Sequence, residues 1–291
     1  MMKQAEKKIT SAMIKRYVIA RRIKRAIDLI LKLGIILVFI FPFYWMVISA
    51  FKTTAEINSY PPTLWPHKLS LDGFRAVFGY FNLWPYIRNT IVISISVLVL
   101  QMLTIIPAAY AFAKMKFRGK SVLFTLVLVA QMVPTQLTFI PIYIMFSKAG
   151  ILNTLWPQIL PFGASAYGVF LLRQSFMQVS DELIESAQMD NANLCQIMYR
   201  VMLPMSKASL VTVLLLCFIN HWNGYFWPLV MCNVEEIKPI SLVIARLKQV
   251  EEGVDWASVM AGILLLTLPT AVLFLFFSKK IIQSLAYKGM K

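Results

Sequence analysis

The hydrophobic pattern of this chain consists of six long uncharged runs separated by shorter polar segments. Each run exceeds the roughly 18 apolar residues that suffice to cross a bilayer. The runs cover residues 33–51, 89–113, 121–147, 149–172, 208–234 and 256–278. The fourth run opens on a loop-like stretch and contains Pro157 and Pro161, so we expect its helix to begin near Trp156 and to continue into Arg173. The pattern therefore predicts an all-α polytopic membrane protein with six transmembrane helices.

Prolines interrupt the other runs as well. They are Pro42, Pro107, Pro134, Pro141, Pro228 and Pro269. Such breaks persist in lipid only where neighbouring helices or water satisfy the freed backbone groups. This predicts a packed bundle around a path, not a set of isolated anchors.

The composition supports a membrane protein, because 59% of residues are hydrophobic and only 14% are charged. Soluble domains carry about a quarter charged residues. Cys195, Cys217 and Cys232 form no CxxC pair, and we interpret them as small hydrophobic residues, not as a disulfide framework. No clustering of metal-ligating residues is present, so no metal site is predicted.

The charge of +16 is concentrated on one side of the predicted membrane topology. Of the 29 Lys and Arg residues, 21 lie in the N-terminal tail, the 114–120 loop, the polar segment after the fourth run, or the C-terminal tail. The positive-inside rule places these segments, and both termini, in the cytoplasm. A basic tail before a first span is typical of topology signals and of contact with anionic lipid, so we do not predict a nucleic-acid partner.

The predicted organisation follows from these boundaries. Residues 1–25 form a basic cytoplasmic tail, 26–52 the first transmembrane helix, and 53–87 an extracytoplasmic loop. Residues 88–280 form a core of five further transmembrane helices, and 281–291 a cytoplasmic C-terminal tail. The N-terminal stretch lacks the pattern of a cleavable signal peptide, so the first span is expected to remain.

A long amphipathic segment, residues 181–204, interrupts the apolar sequence between the fourth and fifth runs, and we call it the coupling segment. Ser180 is a suitable N-cap, and two acids follow it in the first turn. A helix is predicted from Asp181 to about Asp190, with Asn191 in the left-handed conformation. A second helical stretch over 192–203 then completes a helix-turn-helix on the cytoplasmic face. Its small residues and fixed acids suit docking into a groove of a partner protein.

The coupling segment resembles the E-A-A-x-x-x-G motif of ABC importer permeases, which the sugar-importing branch extends to E-A-A-x-x-D-G-A and closes in Leu-Pro. The matching positions here are Glu185, Ser186, Ala187, Asp190, Asn191, Ala192, Leu203 and Pro204. Two of them depart from the pattern, since Ser186 replaces an alanine and Asn191 replaces the glycine. Asparagine is the residue best suited after glycine to positive φ, so the turn is expected to survive.

Other segments resemble the same carbohydrate branch across nearly the whole chain. They are Phe41-Pro42 with Ser49 to Lys52, Gly168 to Gln174, Trp222 to Leu229, and Asp255-Trp256 with Leu268-Pro269. The tail from Gln283 to Gly289 matches only in part, because Lys288 stands where a small residue is usual. The chain is similar to the second permease subunit of maltose-type importers.

This resemblance implies a type I ABC importer permease fold and a set of partners. It implies a second homologous permease subunit, two ATP-binding cassette ATPase subunits that receive the coupling segment, and an extracytoplasmic solute-binding protein. The chain has no GxxxxGK[ST] phosphate loop, so it is expected to be non-catalytic and to bind no cofactor. ATP and Mg²⁺ are expected in the ATPase subunits. The expected location is the cytoplasmic (inner) membrane of a prokaryote, in contact with lipid.

Polar and aromatic residues at membrane depth are the candidates for a carbohydrate path, since such groups usually face the bundle interior. They are Gln101, Gln131, Gln136, Asn220, His221, Trp222, Asn223 and Tyr225. The cluster from Asn220 to Tyr225 is favoured because it concentrates several of them within two helical turns. The structural alternative is that these residues form interfacial belts or interhelical hydrogen bonds.

Three other functions compete with that of a sugar importer. An ion-coupled secondary transporter would carry ionisable residues within its spans, but the six runs contain none except His221. A membrane-embedded enzyme would need a cluster of catalytic side chains, and none is apparent. A permease for a non-sugar or anionic solute, such as a glycerol phosphate ester or a polyuronate oligosaccharide, would need Lys or Arg near the path, which the partner subunit could supply.

Overall fold

The protein is described here from a computed structural model that covers the backbone of residues 2–248 and 254–286. Side chains are described for residues 21–248 and 254–279. Across these ranges the chain is helical and contains no β-strand, which confirms the predicted all-α class.

Three helices in the described part of the chain are long and apolar enough to cross a membrane. They are Arg21–Ala50 within α1 (Met2–Ala50), all of α4 (Leu83–Lys114), and Trp256–Lys279 within α15 (Trp256–Ala286). Two bent pairs could each add a span, namely α5 (Lys120–Ala130) with α6 (Thr135–Lys148), and Leu194–Met205 with α12 (Lys207–Trp222). The count of six spans therefore stays a prediction.

The third run is divided by a sharp bend between α5 and α6. The two helix axes meet at 93°. Pro134 lies in extended conformation at the N-cap of α6, and a proline provides no N–H to continue the preceding helix.

The fourth run is also broken, although both of its predicted ends are correct. A single turn, α7 (Trp156–Ile159), begins at the predicted residue, and a 3₁₀ turn (Leu160–Phe162) follows it. The helix resumes as α8 (Ala166–Phe176), where Ser165 caps it by accepting the Gly168 N–H at 3.1 Å. The expectation of one helix from Trp156 into Arg173 is wrong in its middle, because Pro161 and the new cap at Ser165 separate two helices.

The fifth run breaks within the cluster of residues predicted to line the path, because Asn223 and Tyr225 lie in the interruption. Helix α12 ends at Trp222, and α13 (Phe226–Met231) begins after a three-residue interruption. The remaining short helices lie at the two ends of the bundle. They are α2 (Thr54–Ile57), α3 (Asp72–Tyr80), α9 (Asp181–Met189), α10 (Leu194–Gln196), α11 (Leu203–Met205) and α14 (Ile240–Arg246).

The largest apolar core joins α4 and α8 to the coupling segment. Ile105 of α4, Leu172 of α8 and Ile197 of the coupling segment are all buried in it. Lipid gives helices no hydrophobic reason to associate, so close packing has to hold them. Gly168 allows that approach, since a Cβ there would lie 2.5 Å from Ile105 Cδ1 and 3.3 Å from Val213 Cγ1 of α12.

A second core lies at the opposite end of the bundle, where α3 and α14 pack on α15. Helix α1 packs on α15 through its last turns, where Ile48, Ser49 and Ala50 are buried. From residue 21 to residue 43 the apolar side chains of α1 are exposed. None of the residues in its most apolar 18-residue stretch is buried in the bundle. That surface is suited to lipid or to another membrane subunit.

Candidate functional site: the coupling segment and a membrane cavity

The first half of the coupling segment ends in a Schellman turn. Helix α9 runs from Asp181 to Met189, and Asn191 has a φ of 58°. The Ala192 N–H donates to the Ala187 carbonyl and the Asn191 N–H to the Gln188 carbonyl, each at 2.9 Å. These are the two hydrogen bonds that define the motif, with its left-handed residue just beyond the helix. The predicted helix and the predicted left-handed Asn191 are both confirmed.

The Schellman turn explains the spacing of the motif in physical terms. Ala187 supplies the carbonyl that accepts from Ala192, and Asn191 occupies the left-handed position between them. Ala187 and Ala192 are half-buried against the core formed by α4 and α8. Their small size therefore lets the turn pack on the chain's own bundle, in addition to the predicted role of admitting a partner.

The second half of the coupling segment begins with a capping box. The Gln196 N–H donates to Asn193 Oδ1 at 2.9 Å, and the Asn193 N–H donates to Gln196 Oε1 at 2.8 Å. A π-helical stretch (Ile197–Met202) and α11 continue the segment to Pro204 and beyond. The predicted helical stretch thus starts two residues later than expected, because Asn193 caps it.

The coupling segment exposes a mixed face to its surroundings, which includes the apolar side chains of Met189 and Leu194. Of the predicted docking residues, Glu185, Ser186, Asp190, Asn191 and Pro204 are exposed. Leu203 is half-buried and, like Ala187 and Ala192, packs against the core, while Ile184 and Ile197 are buried within it. One side of the segment therefore packs against the bundle, and its other side contacts no other described residue of the chain closely enough to be buried.

Ser180 takes the N-cap position but its side chain makes no capping hydrogen bond, contrary to expectation. The neighbouring Asp181 instead accepts a hydrogen bond from Lys114 at 2.6 Å. This hydrogen bond, together with the positive charges of Lys114 and Lys116, holds the pKa of the Asp181 carboxyl below its usual value.

A cavity of about 380 Å³ lies within the bundle, between α4, α7 and the break after α12. It brings together four of the eight predicted path residues, namely Gln101, Asn220, His221 and Tyr225. Gln158, Phe162 and Trp227 line it as well. Among the residues that the structure describes, no Asp, Glu, Lys or Arg lines this cavity.

The other four predicted path residues lie outside the cavity lining. The Trp222 Nε1–H donates to the Leu266 carbonyl at 2.8 Å, so the indole ties α12 to α15. The Asn223 amide donates to the Ile219 carbonyl of its own helix at 3.0 Å. Gln131 and Gln136 lie exposed on either side of the bend between α5 and α6.

The cavity wall is organised by hydrogen bonds to broken helix ends. The Gln101 amide donates to the Phe162 carbonyl at 2.9 Å, and the Trp227 Nε1–H donates to the Pro157 carbonyl at 2.7 Å. His221 Nδ1 lies 2.7 Å from the Cys217 carbonyl, which can only accept, so Nδ1 carries the proton. Phe162 packs edge-on against the rings of His221 and Trp227, at centroid distances of 5.1 and 5.2 Å.

The sequence reasoning missed three polar residues of the cavity wall, namely Thr135, Gln158 and Ser165, and Gln158 is the one with the longest side chain. It is 2% exposed, its Nε2 donates to the Ile237 carbonyl at 3.3 Å, and its Oε1 has no hydrogen-bond partner. The rule that selected Gln101, a polar side chain at membrane depth, applies equally to Gln158. The signal was therefore present in the fourth run.

A smaller cavity of about 290 Å³ adjoins the first through Tyr225, which lines both. Its wall includes Lys238 and Arg246, and each lies 2.7 Å from Glu235 Oε1. The hydrogen bond from Arg246, followed by that from Lys238, lowers the pKa of the Glu235 carboxyl. Glu235 therefore pairs with both cations of this cavity, and the three groups together keep one positive charge.

The profile of one protein family matches residues 102–285, and its description is "binding-protein-dependent transport system inner membrane component". The chain belongs to this family. The matched range contains the coupling segment and every residue named on the cavity wall except Gln101. It excludes α1 and the loop after it.

Curated relatives of this inner membrane component are permease proteins of several uptake systems. The arabinooligosaccharide permease AraQ of Halalkalibacterium halodurans is 29% identical over 87% of this chain and 91% of its own length. The diacetylchitobiose permease DasC of Streptomyces coelicolor is 29% identical over 87% and 92%. The sn-glycerol-3-phosphate permease UgpE of Brucella abortus is 30% identical over 79% and 81%.

The inner membrane component also matches solved structures over nearly their full length. A chain of a bacterial ABC transporter that imports the acidic polysaccharide alginate aligns with a TM-score of 0.78 and 25% identity, over 89% of this chain and 97% of that one. A chain of an alginate transporter in complex with its pentasaccharide-bound periplasmic protein aligns with a TM-score of 0.60 and 16% identity, which supports the fold alone. The predicted ABC importer permease fold is confirmed.

Proposed function

We propose that this chain is the transmembrane permease subunit of an ATP-driven importer that carries a neutral oligosaccharide across the cytoplasmic membrane. It works with a second homologous permease subunit, two ATPase subunits and an extracytoplasmic binding protein. ATP and Mg²⁺ act in the ATPase subunits, and this chain supplies the path and the coupling segment. The observation that carries the proposal is the coupling segment, in which α9 and its Schellman turn expose Glu185 and Asp190 at the motif's positions.

The coupling step follows from how the segment is packed. Ile184 and Ile197 are buried in the same core as Ile105 of α4 and Val213 of α12. A packed core transmits displacement because it has few voids to absorb it. When ATP closes the ATPase dimer, the docked segment moves, and α4 and α12 move with it. These two helices carry Gln101 and Asn220, so the cavity alternates between the two sides of the membrane.

The chemistry of the cavity favours a neutral substrate. Amides, a phenol and aromatic rings can hydrogen-bond sugar hydroxyls and stack on sugar faces, whereas an anionic solute calls for Arg or Lys. Lys238 and Arg246 line the smaller cavity and not the larger one, and both pair with Glu235. The relatives that transport arabinooligosaccharides and diacetylchitobiose are consistent with a neutral oligosaccharide, and the glycerol phosphate and alginate systems are the alternative.

The test is uptake by the complete complex reconstituted in vesicles. Neutral oligosaccharides, acidic oligosaccharides and sn-glycerol 3-phosphate are each supplied with the cognate binding protein. We expect uptake of a neutral oligosaccharide and no uptake of the acidic solutes. Uptake confined to acidic solutes would contradict the substrate proposal.

The coupling assignment is tested in the same vesicles. Glu185→Lys and Asp190→Lys are expected to abolish uptake and substrate-stimulated ATPase activity while the chain still inserts, because they reverse the exposed charge. Glu185→Gln, which keeps the shape of the side chain, is the milder matched variant. Normal uptake in both charge-reversal variants would refute the assignment.

A further inference from the structure

A partly buried cation joins the end of α4 to the start of the coupling segment. Lys114 is the last residue of α4, and its side chain is 12% exposed. Its ammonium donates to the Val179 carbonyl and to Asp181 Oδ1, each at 2.6 Å. These two acceptors lie on either side of Ser180, the last residue of the four-residue link between α8 and α9. One side chain therefore holds the entry to the coupling segment against α4.

A second cation ties α8 to the same turn of α4. The Arg173 Nε–H donates to the Phe112 carbonyl at 2.9 Å, and the guanidinium lies 4.0 Å from the centroid of the Phe124 ring of α5. Cations are favoured at helix C-termini, where they satisfy the last carbonyls and the negative end of the dipole. Helix α8 and the coupling segment that follows it cannot move away from α4 without breaking the hydrogen bonds of Arg173 and Lys114.

The Lys114 contact is well suited to transmit movement. An ammonium that is largely shielded from water depends on its partners, because the cost of leaving a charge unpaired rises with burial. Asp181 is 77% exposed in contrast, so its ionisation costs little, and it moves with α9. If α9 shifts, Lys114 is expected to follow Asp181 and the Val179 carbonyl, because staying behind would break two charge-assisted hydrogen bonds.

Helix α4 connects this contact directly to the cavity. Gln101 lies 13 residues before Lys114 on the same helix, a distance of about 20 Å at 1.5 Å per residue. The apolar core between them contains Ile105, Ala109 and Tyr110 of α4, all buried. Displacement at Lys114 therefore reaches the wall of the cavity through a single packed element.

We infer that Lys114 is a positioning residue for transport, which couples the motion of the coupling segment to α4 through its hydrogen bonds to Asp181 and Val179. This inference rests on the proposed function of the segment. A purely structural strap would affect only stability and assembly. A coupling contact changes the amount of solute carried for each ATP hydrolysed.

The experiment uses the complete complex in vesicles with its binding protein and a transported oligosaccharide. The variants are Lys114→Met, Lys114→Arg and Asp181→Asn, with Arg118→Met as the control for loss of a cation in the neighbouring loop. Uptake, basal ATPase activity, substrate-stimulated ATPase activity and thermal stability are measured for each. Glu185→Lys is run alongside to test the docking surface itself.

Lys114→Met is expected to assemble and keep basal ATPase activity, but to carry about tenfold less solute per ATP, the scale set by losing a charge-assisted hydrogen bond. Lys114→Arg is expected to recover most of that loss because it restores a cationic donor. Arg118→Met is expected to match the unmodified complex.

An unchanged ratio of uptake to ATP hydrolysis in Lys114→Met would overturn the inference. If Lys114→Met fails to assemble, Asp181→Asn decides, since it alters an exposed side chain: a lower ratio supports the inference and an unchanged ratio overturns it. If Glu185→Lys loses uptake while Lys114→Met keeps a normal ratio of uptake to ATP hydrolysis, the proposed function stands and this inference is refuted. Normal uptake in Glu185→Lys would instead refute the proposed function.

Discussion

The Schellman turn at Asn191 allows a graded test of how the coupling segment works. Asn191 has a φ of 58°, in the region that glycine adopts without cost and β-branched residues avoid. We compare Asn191→Gly, Asn191→Ala and Asn191→Val. Each replaces one side chain without touching the exposed acids of the segment.

The expected magnitude follows from the backbone. A residue with a Cβ in the left-handed conformation costs about 1–2 kcal/mol, and asparagine offsets part of that cost through local hydrogen bonding. Valine has no such compensation, so the turn and its hydrogen bonds from Asn191 and Ala192 are destabilised by about that amount. A change of this size alters an equilibrium by roughly 5–30-fold. The Asn191→Gly permease is expected to bind the ATPase subunit at least as tightly as the unmodified permease does.

The assay is titration of the ATPase subunit onto the permease pair in lipid nanodiscs. The expected order of affinity is glycine, asparagine, alanine and then valine, with valine weakened by roughly 5–30-fold if the turn must be formed for docking. Thermal unfolding of the same samples shows whether the bundle itself is intact. Equal affinity of Asn191→Val and Asn191→Gly would refute the reasoning, because it would mean that the turn's conformation does not govern docking.

Three further predictions concern the bundle and its outer end. Gly73→Ala is expected to lower the stability of the protein to thermal unfolding by about 1–3 kcal/mol, the usual cost of overpacking, because a Cβ there would lie 2.7 Å from the Ala257 carbonyl oxygen. Trp227→Phe is expected to cost about 1–3 kcal/mol by the same measurement, since it leaves the Pro157 carbonyl without its donor. Glu235→Gln is expected to flatten the acid side of the stability–pH profile. The depressed pKa of Glu235 means that its contribution is present above the ordinary carboxyl range and is lost as the pH falls through the lowered value.

Each of these has its own control. Gly79 lies on the same helix as Gly73 with open space at its Cβ, so Gly79→Ala should not be destabilising. If both alanine variants behave alike, the contact of α3 with α15 is not tight. A Trp227→Phe protein of unchanged stability would mean that water replaces the indole N–H. If Glu235→Gln leaves the acid side of the stability–pH profile unchanged, other carboxyl groups determine that part of the profile.

Local features were predictable because each depends on neighbours in the sequence. Whether a run of side chains prefers lipid is decided by its own solvation, so the apolar runs were evident without a structure. The Schellman turn involves only residues 187–192, and its left-handed Asn191 was predicted from residue type alone. The side of the membrane on which the segment lies, and the number of spans, stay predictions.

The cavity could not be predicted in the same way, because helix rotation and helix breaks decide it. Gln101, Gln158 and Asn220 come from three helices far apart in the sequence. Trp222 and Tyr225 belong to one polar cluster, yet Trp222 bonds to α15 and Tyr225 lines the cavity, because α12 ends between them.

The sequence by itself determined the class of the protein, its apolar runs and the turn of its coupling segment. The tertiary structure decided which polar side chains share a cavity and that Lys114 holds the segment to α4. The physical reason is that solvation and backbone preference are properties of single residues and short stretches. Contacts such as Lys114 with Asp181, 67 positions apart, exist only once Gly168 has let α8 pack against α4.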